Sequence, residues 1–112
     1  MSKASPKTNY GNFFEDFKLG QKFVHPVPVT LTEAHRLAAQ GAYGERLAVN
    51  ASTEFAESVG YGDRSPLSSM VVFHTAFGKT VPDVSKNAVA NLGYSDVIFK
   101  GNVFPGDTLR AE

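Results

Sequence analysis

The longest run of apolar positions lies between Leu67 and Val81, where Met70, Val71, Phe73, Ala76, Phe77 and Val81 leave almost no polar face. The run is too long for an average strand and predicts a helix wrapped on most sides, ended by Pro82 and Asp83. Upstream, Ala34, Leu37 and Ala38 recur at helical spacing behind Thr30 or Thr32 as cap and Glu33 in the first turn. They predict a helix over Thr32 to Gln40 that Gly41 and Gly44 break. A second short helix is predicted over Ala51 to Val59: Ser52 or Thr53 caps it, Phe55 and Val59 share a face, and Gly60 stops it.

The strand pattern is weaker. Phe23, Val27 and Val29 are β-formers within Gln21 to Thr30, but Pro26 and Pro28 cannot donate to a ladder, which suits an edge strand or a strand entry. Ala88 to Phe99 carries Val89, Leu92, Val97 and Ile98 among polar residues and reads as a strand with an irregularity near Gly93. Pro105-Gly106-Asp107 marks a turn, after which a further strand begins. Phe13, Phe14 and Phe17 sit in a charged frame over Asn12 to Leu19, as in a short turn or helix that pins aromatics onto a core. About two strands and the start of a third are too few to wrap so apolar a helix, and they leave open edges. The expectation is a truncated chain, or one completed by a partner.

Composition narrows the class. The chain has 112 residues, 42% hydrophobic and 20% charged, enough for one soluble globular domain with a core. Eleven basic and eleven acidic side chains cancel without a run of either sign, which disfavours nucleic acid or an anionic membrane as partner. The absence of cysteine excludes disulfides and thiol catalysis and removes the usual zinc clusters. Met1 to Gly11 is polar, with Lys3, Pro6 and Lys7, and reads as a flexible leader without a signal or membrane segment. Cytoplasm is the default location.

Several strings are specific. Asn12-Phe13-Phe14-Glu15-Asp16-Phe17 with Leu19-Gly20-Gln21, Val72-Phe73-His74 followed by Phe77-Gly78-Lys79-Thr80-Val81-Pro82-Asp83, Asn87 to Tyr94, and Pro105-Gly106-Asp107-Thr108-Leu109 resemble the N-terminal half of the MaoC-like hydratases that act on mesaconyl-CoA. The resemblance runs from about residue 9 to the end. It implies an α+β hot-dog fold, an antiparallel sheet wrapped round a long buried helix, incomplete at its C-terminus over residues 12–112. It also implies a longer parent with two hot-dog halves.

The resemblance further implies a site. Single-domain relatives carry G-D-x-N-P-x-H, whose Asp and His activate water; the equivalent stretch here is Gly44-Glu45-Arg46-Leu47-Ala48-Val49-Asn50. Glu45 keeps a carboxylate, but Asn50 replaces the His, and an amide does not titrate. Adding water to an enoyl thioester also needs donors for the thioester oxygen, which the fold supplies at the N-terminus of the long helix, at Ser68, Ser69 and Met70. A substrate with a free carboxylate calls for an Arg fork, and Arg46 and Arg64 flank the site in sequence. No metal and no cofactor beyond substrate-borne CoA is implied. A second hot-dog half or a homodimer partner is.

Plainer readings stand beside these. A lone carboxylate between Gly-containing loops is commonly solvated, and Arg46 and Arg64 read more simply as surface loop residues. His74 inside the apolar helix reads as a hydrogen-bonded core histidine, and His25 and His35 as exposed. Phe73 and Phe77, four apart, read as core packing, and Asn91 and Asp96 as strand or turn residues.

Three functions follow. The leading one is a hydro-lyase that reversibly converts mesaconyl-CoA to β-methylmalyl-CoA, not expected to act as this piece alone. The Asn50 substitution favours the second, an acyl-CoA-binding half without chemistry that packs on a catalytic one. A hot-dog thioesterase is third and requires a group placed to attack the thioester carbonyl.

Overall fold

The computed structural model describes residues 11–44 and 47–112, so the proposed leader lies, up to residue 10, outside the described residues. Strand β1 (His25–Thr30) pairs antiparallel with β2 (Thr108–Ala111), with His25 opposite Ala111 and Val29 opposite Leu109. The register slips between His25 and Val29, the stretch holding Pro26 and Pro28, which lack the N–H a regular ladder requires. Beyond the strand, Leu31 N–H donates to Asp107 O (2.8 Å) and Gly106 N–H to Leu31 O (2.7 Å), while the Leu31 side chain is fully buried. The Phe104–Asp107 turn that supplies these partners is closed by Asp107 N–H on Phe104 O (3.0 Å) and Phe104 N–H on Asp107 Oδ2 (2.9 Å). Gly106 takes φ +101° there, the value the third position of a type II turn demands.

Helix α1 (Glu33–Tyr43) follows Thr32 and passes through Gly41, ending where Gly44 adopts the left-handed conformation and its N–H reaches Gln40 O at 3.0 Å. The break expected at Gly41 is therefore absent: one glycine weakens a helix without stopping it, whereas a left-handed residue does stop it. A short α2 (Ala48–Ala51) leads into α3 (Thr53–Ser58), whose cap is Ser52, accepting from Phe55 N–H at 3.0 Å. Gly60 and Tyr61 N–H close α3 on Glu57 and Ala56 carbonyls, the bond pair of a Schellman end. Helix α4 (Ser69–Thr80) is capped by Ser68, with Oγ accepting from Met70 N–H at 3.2 Å, and runs into a π-helical turn (Val81–Ser85) that contains Pro82.

Four expectations are corrected. Helix α4 has no fully buried residue: among the described elements only β1, β2, α1 and its own continuation pack on it, with Tyr94 of the extended chain covering part of one face. The strand expected over Ala88 to Phe99 is extended chain without ladder bonds, since a strand exists only by pairing and the described residues offer it no partner; its irregularity is at Asp96 (φ +56°) instead of Gly93. Phe13 and Phe14 are exposed, and only Phe17 is half-buried, edge-on to Phe23 at 6.0 Å. His25, expected at the surface, is buried, with Nδ1 3.0 Å from Asp83 Oδ2, and ties the start of β1 to the π-helical turn that follows α4. The Phe73 and Phe77 pair does stack, 5.8 Å apart, with Tyr94 set edge-on against both. The radius of gyration is 18.0 Å, against about 13 Å for a compact domain of 100 residues.

The helices are held together by Arg36. Its guanidinium, on a side chain only 11% exposed, donates to the backbone carbonyls of Asn50, Ser65 (2.7 Å) and Pro66 (3.1 Å) and to Glu33 Oε2 (2.8 Å). One planar fork thus joins α1, α2 and the loop that delivers Ser68 to the head of α4. Asn50 Nδ2 adds a bond to the same Pro66 carbonyl at 3.0 Å.

Arg36→Met should destabilise the chain by about 2–4 kcal/mol in chemical denaturation, because it leaves part-buried carbonyls unpaired, and Arg36→Lys should recover only part of the loss. Gly41→Ala should raise stability by about 0.5–1 kcal/mol in the same measurement, since Gly41 is helical and nothing lies within 4 Å of an added Cβ.

Candidate functional site

Residues 35, 38, 39, 42 and 43 recur at three- and four-residue steps, so α1 turns His35, three alanines and Tyr43 to one side. Residues 70, 71, 74 and 75 do the same on α4. Where these faces meet lies a half-open groove of about 600 Å³. The small alanines hold the helices apart without filling the space, and Met70 and Val71 make the opposite wall.

The polar groups in the groove have distinct states. His35 Nδ1 accepts from Thr32 N–H at 3.0 Å, with the Thr32 hydroxyl at 3.2 Å, so the neutral ring carries its proton on Nε2. His74, read from the sequence as a core residue, is exposed on the groove side of α4, its ring stacked on Tyr43 at 6.3 Å and edge-on to Phe73 at 5.5 Å. It stays outside because, among the described elements, only α1 packs over that face of α4. Thr75 Oγ1 donates to Val71 O at 2.8 Å and is engaged within the helix. Ser68 Oγ accepts from Met70 N–H, and its hydroxyl has no other hydrogen bond among the described residues.

The residues singled out in the sequence are only partly brought together. Glu45 and Arg46 lie outside the described residues. Asn50 is buried and its amide is directed to the Pro66 carbonyl. Ser68 and Met70 line the groove, whereas Ser69 faces a second cleft beside Lys100 and Asn102. The N–H groups of Val71 and Val72 are bonded to Ser68 O and that of Met70 to Ser68 Oγ, which leaves the Ser69 N–H as the first-turn donor among the described residues. Arg64 is not in the groove; its guanidinium lies over the Phe104 ring, 3.8 Å from the centroid. Sequence reasoning missed Arg36, His35 and Tyr43. The spacing of His35, Ala38, Ala39, Ala42 and Tyr43 was visible, but alanine is too small to announce a binding face.

No protein-family model matches the chain. It is 55% identical over 105 residues to β-methylmalyl-CoA dehydratase of Chloroflexus aurantiacus, a match that covers 94% of this chain and 30% of that protein. It is 49% identical over 106 residues to mesaconyl-CoA hydratase of Cereibacter sphaeroides, covering 95% of this chain and 31% of that protein. The chain thus spans about three tenths of the length of these relatives. Among solved structures it superposes on a MaoC domain protein dehydratase from Chloroflexus aurantiacus with a TM-score of 0.85 and 54% identity, over 95% of this chain and 30% of that one. It superposes on a monoamine oxidase regulatory protein from Archaeoglobus fulgius with a TM-score of 0.72 and 25% identity, over 88% of this chain and 66% of that one. No described helix is long and apolar enough to cross a membrane. In sequence and in fold, the chain is similar to a segment, about three tenths, of longer proteins named as mesaconyl-CoA hydratase, β-methylmalyl-CoA dehydratase and MaoC domain dehydratase, the group its motifs resemble.

Proposed function

We propose that the chain is one hot-dog unit of an acyl-CoA hydratase that adds water reversibly to a short branched enoyl thioester, converting mesaconyl-CoA to β-methylmalyl-CoA. The observation that carries this reading is the identity of 49–55%, sustained over nearly the whole chain, to two proteins named for these two compounds.

The chemistry sets the roles. Water attacks the β-carbon as negative charge gathers on the thioester oxygen, so a base, an acid and oriented donors are required. The head of α4, with the Ser69 N–H and Ser68 Oγ–H, is the proposed donor set, where the helix dipole favours an anion. Glu45 is the proposed base for water. CoA enters only as carrier of the acyl group, and no metal or further cofactor has a step to perform. A second hot-dog unit, from the same protein or a second copy, completes the sheet around α4. The protein is assigned to the cytoplasm.

One observation favours a second reading, in which this unit shapes the acyl pocket while another carries the catalytic pair. Asn50 stands where imidazole is expected, and its amide serves the Pro66 carbonyl.

In the protein that carries this chain, mesaconyl-CoA should lose its enoyl absorbance without release of free thiol, and Glu45→Gln should lower that rate by about a hundredfold or more with the fold retained. Thiol release would establish hydrolysis and overturn the hydratase reading; an unchanged rate in Glu45→Gln would move the chemistry to another unit.

A further inference from the structure

Among the described residues, the lining of the groove between α1 and α4 holds no acidic side chain, but it includes two imidazoles and a phenol beside three alanines. A purely apolar acyl chain would fill the floor and leave those donors facing it without partners. Burying a donor unpaired is costly, and a site so built rejects a ligand that lacks the matching acceptor. A ligand with one apolar part and one anionic end satisfies both parts of the groove.

The donors are prepared for such an end. Because Nδ1 of His35 is occupied by the Thr32 N–H, its ring acts as an Nε2–H donor whose orientation is set by the first turn of α1. His74 is steadied between Tyr43 and Phe73, and neither of its nitrogens has a hydrogen-bond partner among the described residues. Arg64, the described member of the pair that the sequence offered as an anion clamp, is engaged with Phe104 outside this groove. A volume of about 600 Å³ falls within the range of small-ligand sites.

We propose that this groove recognises the acyl portion of a short thioester bearing its own carboxylate, with His35 Nε2–H and His74 as the carboxylate's donors, an assignment that rests on the hydratase reading. Specificity for an acyl group with a second acid thus comes from histidines on α1 and α4.

The whole protein that carries this chain is titrated calorimetrically with mesaconyl-CoA and with crotonyl-CoA, an enoyl thioester without the second carboxylate. Wild type should bind mesaconyl-CoA about tenfold or more tightly than crotonyl-CoA. His74→Phe keeps the stack on Tyr43 but removes the donor. His35→Glu keeps an acceptor for Thr32 N–H, as in a Thr-x-x-Glu capping box, but opposes an anion. Each should bring the two affinities to within about twofold by weakening mesaconyl-CoA alone. Equal affinities in wild type, or variants that weaken both thioesters alike, would overturn the carboxylate assignment and leave the hydratase reading standing. Binding of neither thioester by wild type would overturn both. Because His74 is exposed, His74→Phe decides the matter even where His35→Glu costs helical circular dichroism.

Discussion

The arrangement depends on one guanidinium. Arg36 gathers carbonyls from Asn50, Ser65 and Pro66, which belong to segments with few other means of mutual attachment. The apolar core is small, with Leu31, Ala56, Leu67 and Pro66 its fully enclosed members among the described residues. In a core of that size, a charge satisfied by three carbonyls and the Glu33 carboxylate sets geometry that packing alone does not. The consequence reaches the groove, because the Ser65–Pro66 loop is what positions Ser68 and thereby the head of α4.

The groove is a product of what α1 and α4 lack as much as of what they carry. Three alanines on α1 leave space where larger residues would close the interface, and α4 answers with Met70, Val71 and His74. Tyr43, at the end of α1, stays in place because Gly44 turns the chain away immediately after it. His35 caps α1 through Nδ1 and also lines the groove.

The same fold leaves much apolar surface in water. Val89 and Leu92 are essentially fully exposed, and Ile98 is 74% exposed, along an extended segment that pairs with nothing among the described residues. Helix α4 packs Phe73 and Phe77 against Tyr94 and remains half-covered. Exposed apolar side chains of this kind are the positions at which a fold takes up further contacts, and the relatives the chain matches are more than three times its length.

Local chemistry was legible in the residues. The cap at Ser52 or Thr53, the Gly60 stop, the turn at Pro105-Gly106-Asp107, the two helices that became α1 and α4 and the disruptive prolines of β1 each depend on neighbours within a few positions, so a single sequence carries their cause. The family resemblance was legible for the same reason, since its motifs are contiguous strings. Burial and partnership were not. Whether α4 is enclosed, whether Ala88 to Phe99 joins a ladder, that His25 meets Asp83 and that Arg36 finds three carbonyls up to 30 positions away are decided by which segments meet in space. Asn50 shows the division most clearly: the sequence by itself determined that no imidazole stands there, and only the tertiary structure decided that its amide belongs to the loop beneath the helix, because the Pro66 carbonyl lies within hydrogen-bond reach.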